Sequence, residues 1–191
     1  MRATIFSTPI LNSALTAISK ILLRLLGWRI EGQFPTAPKF VLVGAPHTSN
    51  WDFMLMLLVV FAVRADVHWM GKDSLFPKPF DGFMRWLGGI AVDRSKANNT
   101  VEQMIAHYQA NDELIVIMTP EGTRSKVSVW KTGFYHIAKG AEVPIVLGYI
   151  DGAKKVVGLG KVFTPAGDLE QDMAAIKAFY ADKQGLRPEL T

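Results

Sequence analysis

Phe40-Val41-Leu42-Val43-Gly44-Ala45-Pro46-His47-Thr48-Ser49-Asn50-Trp51-Asp52 is the stretch that decides the fold. Phe40 to Val43 is a short apolar strand, and Gly44-Ala45-Pro46-His47 brings it to an end. Ser49 or Asn50 then suits the N-cap of a helix, and Phe53 to Val63 supplies the longest apolar run in the chain. Eleven apolar residues are too few to cross a bilayer, which takes about 20, and instead fit a buried helix of a domain core.

The strand-then-helix pattern recurs downstream. Val67 to Met70 reads as a strand and Phe80 to Leu87 as a short helix closed by Gly88-Gly89. Asn98 to Ala110 reads as a helix opened by a Thr100-x-x-Gln103 capping box. Leu114 to Met118 is a strand of branched residues, Gly133 to Lys139 a helix, and Val143 to Tyr149 and Val156 to Leu159 are strands. Asp168 to Tyr180 is a helix with Leu169, Met173, Ile176 and Tyr180 on one face. The alternation predicts an α/β fold: one domain with a mixed, largely parallel sheet flanked by helices.

Upstream, residues 10 to 27 read as an N-terminal amphipathic helix. Leu11, Leu15, Ile18, Leu22 and Leu25 recur at helical spacing, and Asn12, Thr16, Lys20 and Arg24 form a row on another face. Pro9 suits a first turn, and Gly27 suits the end. Two readings fit: a surface helix packing its leucines on the domain, or an interfacial helix with its leucines in the acyl region of a membrane. Charge favours the second. Of 21 lysines and arginines, Arg2, Lys20, Arg24 and Arg29 stand in the first 30 residues, which hold no acidic residue. The remainder match the 17 acidic side chains, so the net charge of +4 resides in this segment. A nucleic-acid binder would spread basic residues over its folded body, whereas a basic end on a neutral body suits a membrane surface. Trp28 would sit at headgroup level. The expected division is therefore 1–30, a basic membrane-associating helix, and 31–191, the α/β domain. Asn12, Ser13, Thr16 and Ser19 interrupt the start of the chain, which is not read as an export signal.

Three segments carry chemistry. His47 and Asp52 are five residues apart, a separation that would put them about 140° apart on a regular helix. They can pair only if His47 lies before the helix and curls back. The carboxylate would then hold one ring nitrogen and leave the other to accept a proton. The same spacing also fits a plain surface or capping histidine. Thr119-Pro120-Glu121-Gly122-Thr123-Arg124-Ser125 follows a strand and offers a carboxylate, a glycine, hydroxyls and a guanidinium suited to phosphate. Gly88-Gly89-Ile90-Ala91-Val92-Asp93-Arg94 ends in a second arginine. Taken alone, either of these two segments also reads as a solvated turn.

In order and spacing, these segments resemble the 1-acylglycerol-3-phosphate acyltransferase family. His47 and Asp52 match its first motif, Gly89 to Arg94 the second, Pro120 to Ser125 the third, and Val143-Pro144-Ile145 the fourth. Thr119 replaces the phenylalanine that usually opens the third motif, and Leu147 stands where the fourth often has a second proline. The resemblance implies an O-acyltransferase in which His47 is the general base and Asp52 orients it. It makes Arg94 and Arg124 phosphate ligands, and Glu121, Gly122 and Thr123 acceptor-site residues. A backbone amide near Gly122 is the expected oxyanion donor. It further implies an acyl-CoA or acyl-carrier-protein co-substrate, a lysolipid acceptor, and a peripheral or monotopic place on the cytoplasmic face of a membrane. Neither a cofactor nor nucleic acid is expected. No metal is expected, since His68, His107 and His136 have no partner at ligand spacing, and there is no cysteine. The same fold acting on another lysolipid such as a lyso-aminolipid, an inactive lipid-binding relative, and a thioesterase are the competing readings.

Overall fold

The computed structural model describes residues 3–93 and 97–191, the side chains of residues 97–99 excepted. Arg94, expected to bind phosphate, lies outside the described residues. Seven strands form one sheet: β1 (Arg29–Glu31), β2 (Lys39–Ala45), β3 (Val67–Lys72), β4 (Gly89–Val92), β5 (Leu114–Met118), β6 (Ile145–Asp151) and β7 (Val156–Phe163). Their order is β1-β7-β6-β2-β5-β3-β4. Every pairing is parallel except β6 with β7, so the sheet is mixed and mostly parallel as the alternation predicts.

Helices cover both faces. On one side, α4 (Ala97–Gln109), α5 (Gly133–Gly140) and α6 (Leu169–Tyr180) bury Met104, Tyr108, Phe134, Ile137 and Ile176 against Val41, Val43 and Ala45 of β2. A fully buried side chain of this size contributes about 1.5–3 kcal/mol. Buried tyrosine hydroxyls find backbone acceptors: Tyr108 donates to Phe40 O (2.8 Å), and Tyr180 lies near Val43 O (3.1 Å) and Gly148 O (3.0 Å). On the other side, α1 (Pro9–Leu25) and α2 (Asn50–Val63) face Phe40, Leu42 and Val146. The short α3 (Asp81–Trp86) precedes β4.

Two strands were absent from the sequence reading. Arg29–Glu31 is exposed at all three positions and pairs with β7 at the sheet edge, so it carries no burial pattern. It also spans the boundary drawn at residue 30. Gly89–Val92, read as part of a glycine-rich turn, is β4 beside β3. The capping box is corrected as well. Helix α4 begins at Ala97, which puts Thr100 inside it. The Thr100 hydroxyl donates to Asp93 O (3.1 Å), and the Gln103 amide oxygen accepts from Asp93 N (3.1 Å). This pair therefore fastens the end of the preceding segment.

Helix α1 turns only part of its leucine row inward: Leu15 packs against the cluster of Phe6 and Phe61, while Ile18, Leu22 and Leu25 are exposed. Its buried residues are Thr16, Ser19 and Leu23. The Thr16 hydroxyl lies 2.7 Å from Asn12 O in its own helix and 3.0 Å from Phe61 O in α2. Small side chains let the two helices approach closely. Ile10 (88% exposed), Ile18, Ile21 and Leu25 (77%) face outward, and on α2 Trp51 (71%), Phe53 and Met54 are exposed too. A soluble domain seldom presents such a stripe without something to cover it.

Candidate active site

The site forms where the central strands end. Helix α2 starts at Asn50 with Ser49 as N-cap: its hydroxyl accepts from the first turn, and Asp52 bonds back to Ser49 N, completing a capping box. That box dictates where the Asp52 carboxylate points. Oδ2 accepts from Ser49 N (2.7 Å) and Thr48 N (2.7 Å) and lies 3.1 Å from His47 Nδ1. The curl-back that the five-residue spacing demanded is therefore present. With Nδ1–H donated to Asp52, His47 carries its lone pair on Nε2. Asp52 is 3% exposed, whereas the His47 side chain is 24% exposed, so the carboxylate is hidden and the imidazole reachable.

The loop after β5 closes the other side. Thr119-Pro120-Glu121-Gly122 is a turn in which Gly122 N donates to Thr119 O (3.2 Å), with proline at the position where a preset φ helps. Glu121 turns inward, and its Oε1 accepts from His47 N (3.2 Å). Burial pushes its carboxyl above the usual range, while the His47 N–H bond pulls the other way. Gly122 has φ +64, and a Cβ there would lie 2.6 Å from Lys131 Nζ, so the lysine chain crosses directly over this glycine. The Gly122 amide itself is engaged in its own turn, so the amide near Gly122 expected to meet the oxyanion would be a neighbouring one. Thr123 and Arg124 are exposed, and both line the cavity.

That cavity has a volume of about 1490 Å³ and counts His47 among its walls; its lining on the α2 side of the sheet is the apolar arm and that on the α5 side the polar arm. The apolar arm runs between α2, which contributes Phe53, Met56, Val59 and Val63, and the sheet beneath it. From Phe53 to Val63 the helix advances about 15 Å. Gly44 and Gly148 form part of its floor. They are register partners on β2 and β6, and both face α2, since Leu42 and Val146 two residues earlier pack on that side. Two missing side chains at adjacent positions hollow the sheet just below His47. The polar arm, on the α5 side, is lined by Arg124, Lys131, Thr132 and His136. His136, which has no partner at ligand spacing in the sequence, and Lys131 thus both stand at the site. The available signal was a lysine, seven residues after Arg124, just before the glycine that opens α5.

A further contact was not foreseen. The segment after α6 packs on the histidine loop: Arg187 N donates to Thr48 Oγ1 (3.1 Å), and a Cβ on Gly185 would meet Thr48 at 2.6 Å. Lys126 Nζ donates to Thr191 O (2.7 Å), tying the same segment to the second loop. Among the described residues, no three histidine, aspartate or glutamate side chains gather as a metal site.

The family model described as Acyltransferase matches residues 28–149, from β1 through β6 and across both loops. The chain belongs to the acyltransferase family. Among curated acyltransferases, the 1-acyl-sn-glycerol-3-phosphate acyltransferase of Haemophilus influenzae is 33% identical over 132 residues, 64% of this chain and 53% of that protein. The Escherichia coli enzyme of the same name is also 33% identical over 132 residues, 64% of this chain and 52% of its own. The human alpha enzyme is 28% identical over 137 residues, covering 45% of its length. The chain thus spans about half the length of the curated relatives it matches. The crystal structure of the 1-acyl-sn-glycerophosphate acyltransferase PlsC of Thermotoga maritima superposes with a TM-score of 0.61 at 17% identity. It covers 92% of this chain and 82% of that one, and so shares the fold.

Proposed function

We propose that this chain moves an acyl group from a thioester, acyl-CoA or acyl-carrier protein, onto the free hydroxyl of a lysophospholipid, giving phosphatidic acid from 1-acylglycerol 3-phosphate. The names of the curated relatives support that acceptor. One observation carries the reading: a histidine whose Nδ1 is held by a buried carboxylate lines a cavity with an apolar arm and a cationic arm. The apolar arm suits an acyl chain, and the cationic arm a phosphate.

In this reading His47 Nε2 takes the acceptor's hydroxyl proton as the oxygen attacks the thioester carbonyl. The tetrahedral intermediate collapses with loss of the thiolate, which receives the proton back from the imidazolium. The acyl chain ends as an ester, the carrier as a free thiol, and His47 returns neutral. Asp52 stabilises the transient imidazolium and fixes the tautomer. Glu121 supports the His47 loop through the backbone, so we assign it to positioning. Gly122 and Thr123 border the acceptor, and Arg124 binds its phosphate together with Lys131, which lines the same cavity; the family resemblance makes Arg94 a second phosphate ligand. The acyl donor is the only co-substrate required; no cofactor or metal enters the scheme.

We place the protein on a membrane surface by the apolar stripe of α1 and the exposed aromatic start of α2, and take the cytoplasmic face from the family resemblance alone. No helix among the described residues is long and apolar enough to cross a membrane. The test is His47→Ala in purified protein with a labelled acyl thioester and 1-acylglycerol 3-phosphate. Transfer falls to background with the fold intact; turnover equal to the unaltered protein would end the general-base assignment. Arg124→Ala raises KM for the phosphate-bearing acceptor far more than for an uncharged lysolipid, and equal effects on both would remove phosphate recognition from that residue.

A further inference from the structure

At the C-terminal end of α1 lies a second cavity of about 410 Å³, lined by Lys20, Leu23, Arg24, Gly27, Trp28 and Arg29, with Ile30 at its edge. Three of its walls are cations, and no acidic side chain lines it. None of the three forms an ion pair among the described residues, whose bridges are His47–Asp52, Arg85–Asp81, Lys154–Asp151 and Lys183–Asp182. The nearest acid in the chain, Glu31, is engaged by the Tyr149 hydroxyl (3.1 Å). A helix C-terminus favours nearby cations, yet only Arg24 falls in the last turn of α1, leaving Lys20 and Arg29 without that explanation. Lys155, whose Nζ donates to Leu26 O (3.1 Å), adds a fourth positive charge beside Gly27.

Two placements say what would enter. Leu25, Leu26 and Ile21 are exposed next to this cavity, continuous with the apolar stripe of α1. Arg29 begins β1, pairs with Val156 at the start of β7, and Val156 pairs with Asp151 at the end of β6. The cavity therefore opens at the same end of the sheet as His47, three strands away along β1-β7-β6-β2, or about 14 Å. We infer that this cavity is a headgroup site for an anionic membrane phospholipid, distinct from the acceptor site, whose occupant holds the mouth of the active site against the bilayer. The inference rests on the membrane-surface reading above. Lys20, Arg24 and Arg29 take the phosphate, Trp28 lies at the depth of the glycerol, and Leu25 and Leu26 enter the acyl region.

The experiment is flotation of the full chain with phosphatidylcholine vesicles, with and without phosphatidylglycerol, for the unaltered protein and for Lys20→Gln/Arg24→Gln/Arg29→Gln. A second triple variant, Lys139→Gln/Lys161→Gln/Lys177→Gln, removes the same charge from exposed positions elsewhere. Each headgroup-facing cation contributes about fivefold to partitioning, so the first variant loses on the order of a hundredfold on anionic vesicles. The second loses little, and both retain unaltered turnover on a water-soluble short-chain acceptor. Equal loss in both variants would reduce the site to diffuse attraction and overturn the inference. So would displacement from vesicles by soluble glycerol 3-phosphate, which would make the occupant a free phosphate. Unchanged vesicle binding with a lower rate only for carrier-protein-bound donor would make the cavity a dock for the acidic carrier instead. If the unaltered protein floats with no vesicle of either composition, the membrane-surface reading itself fails, and the headgroup site with it. Binding that is equal with and without phosphatidylglycerol would sink the headgroup site alone.

Discussion

Asp52→Asn isolates the charge of the pair from its shape. Asparagine can place its carbonyl where Oδ2 accepts from Thr48 N and Ser49 N, so the start of α2 keeps its capping bonds. What disappears is the negative charge 3.1 Å from His47 Nδ1, needed when the ring becomes an imidazolium. At an effective dielectric of about 20 that attraction is about 5 kcal/mol, or roughly four decades in rate at 1.36 kcal/mol per decade. The ground state changes little, because a neutral imidazole gains less from the charge. The loss therefore falls on kcat, with KM for both substrates nearly constant. Stability drops by about 1–3 kcal/mol, because the new amide N–H₂ takes the place of Oδ1, which has no partner in this buried position. The assay is thiol release from the acyl thioester with acceptor in excess, run well below the melting temperature and checked by thermal denaturation. A kcat within tenfold of the unaltered enzyme, in a folded variant, would refute the role given to the carboxylate.

Glu121→Gln keeps an acceptor for His47 N–H and removes an acid that burial holds above its usual range. The unfolded chain ionises first as pH rises, so the native protein loses stability between the ordinary carboxylate range and the raised folded value. The variant is accordingly the more stable near neutrality, and the gap closes as pH is lowered towards about 4; thermal melts across that span would expose a gap that widens instead. Tyr108→Phe deletes the buried hydroxyl's bond to Phe40 O, at a cost of about 0.5–1.5 kcal/mol in urea titration with activity retained. Gly122→Ala forces a side chain into φ +64 and displaces the Lys131 ammonium, lowering stability by about 1–2 kcal/mol and raising KM for a phosphate-bearing acceptor. A KM unchanged beside the expected stability loss would separate Lys131 from the acceptor.

The pairing of His47 with Asp52 was legible because a spacing wrong for a helix, followed by Ser49, leaves one way for the two to meet. The core helices were legible for a related reason: Met173, Ile176 and Tyr180 announce a buried face by period alone. The direction in which α1 faces was not. Periodicity reports that two faces differ, and here the inward one is Thr16 and Ser19, residues that look solvated until a neighbouring carbonyl and a close helix are known. The hollow beneath α2 was illegible for a different reason. Gly44 and Gly148 are 104 positions apart, and only strand register sets them side by side. Nor did three exposed residues at a sheet edge announce β1, on which the placement of Arg29 depends.

The grip of Arg187 on Thr48 has a consequence for how the protein comes into being. A nascent chain carries its histidine, its carboxylate and its Glu-Gly-Thr-Arg turn long before residue 187 leaves the ribosome, yet the loop beneath the histidine still lacks its last brace. The histidine loop is therefore completed only after residue 187 has been translated, and fragments released before it would fold much of the sheet with that loop unbraced.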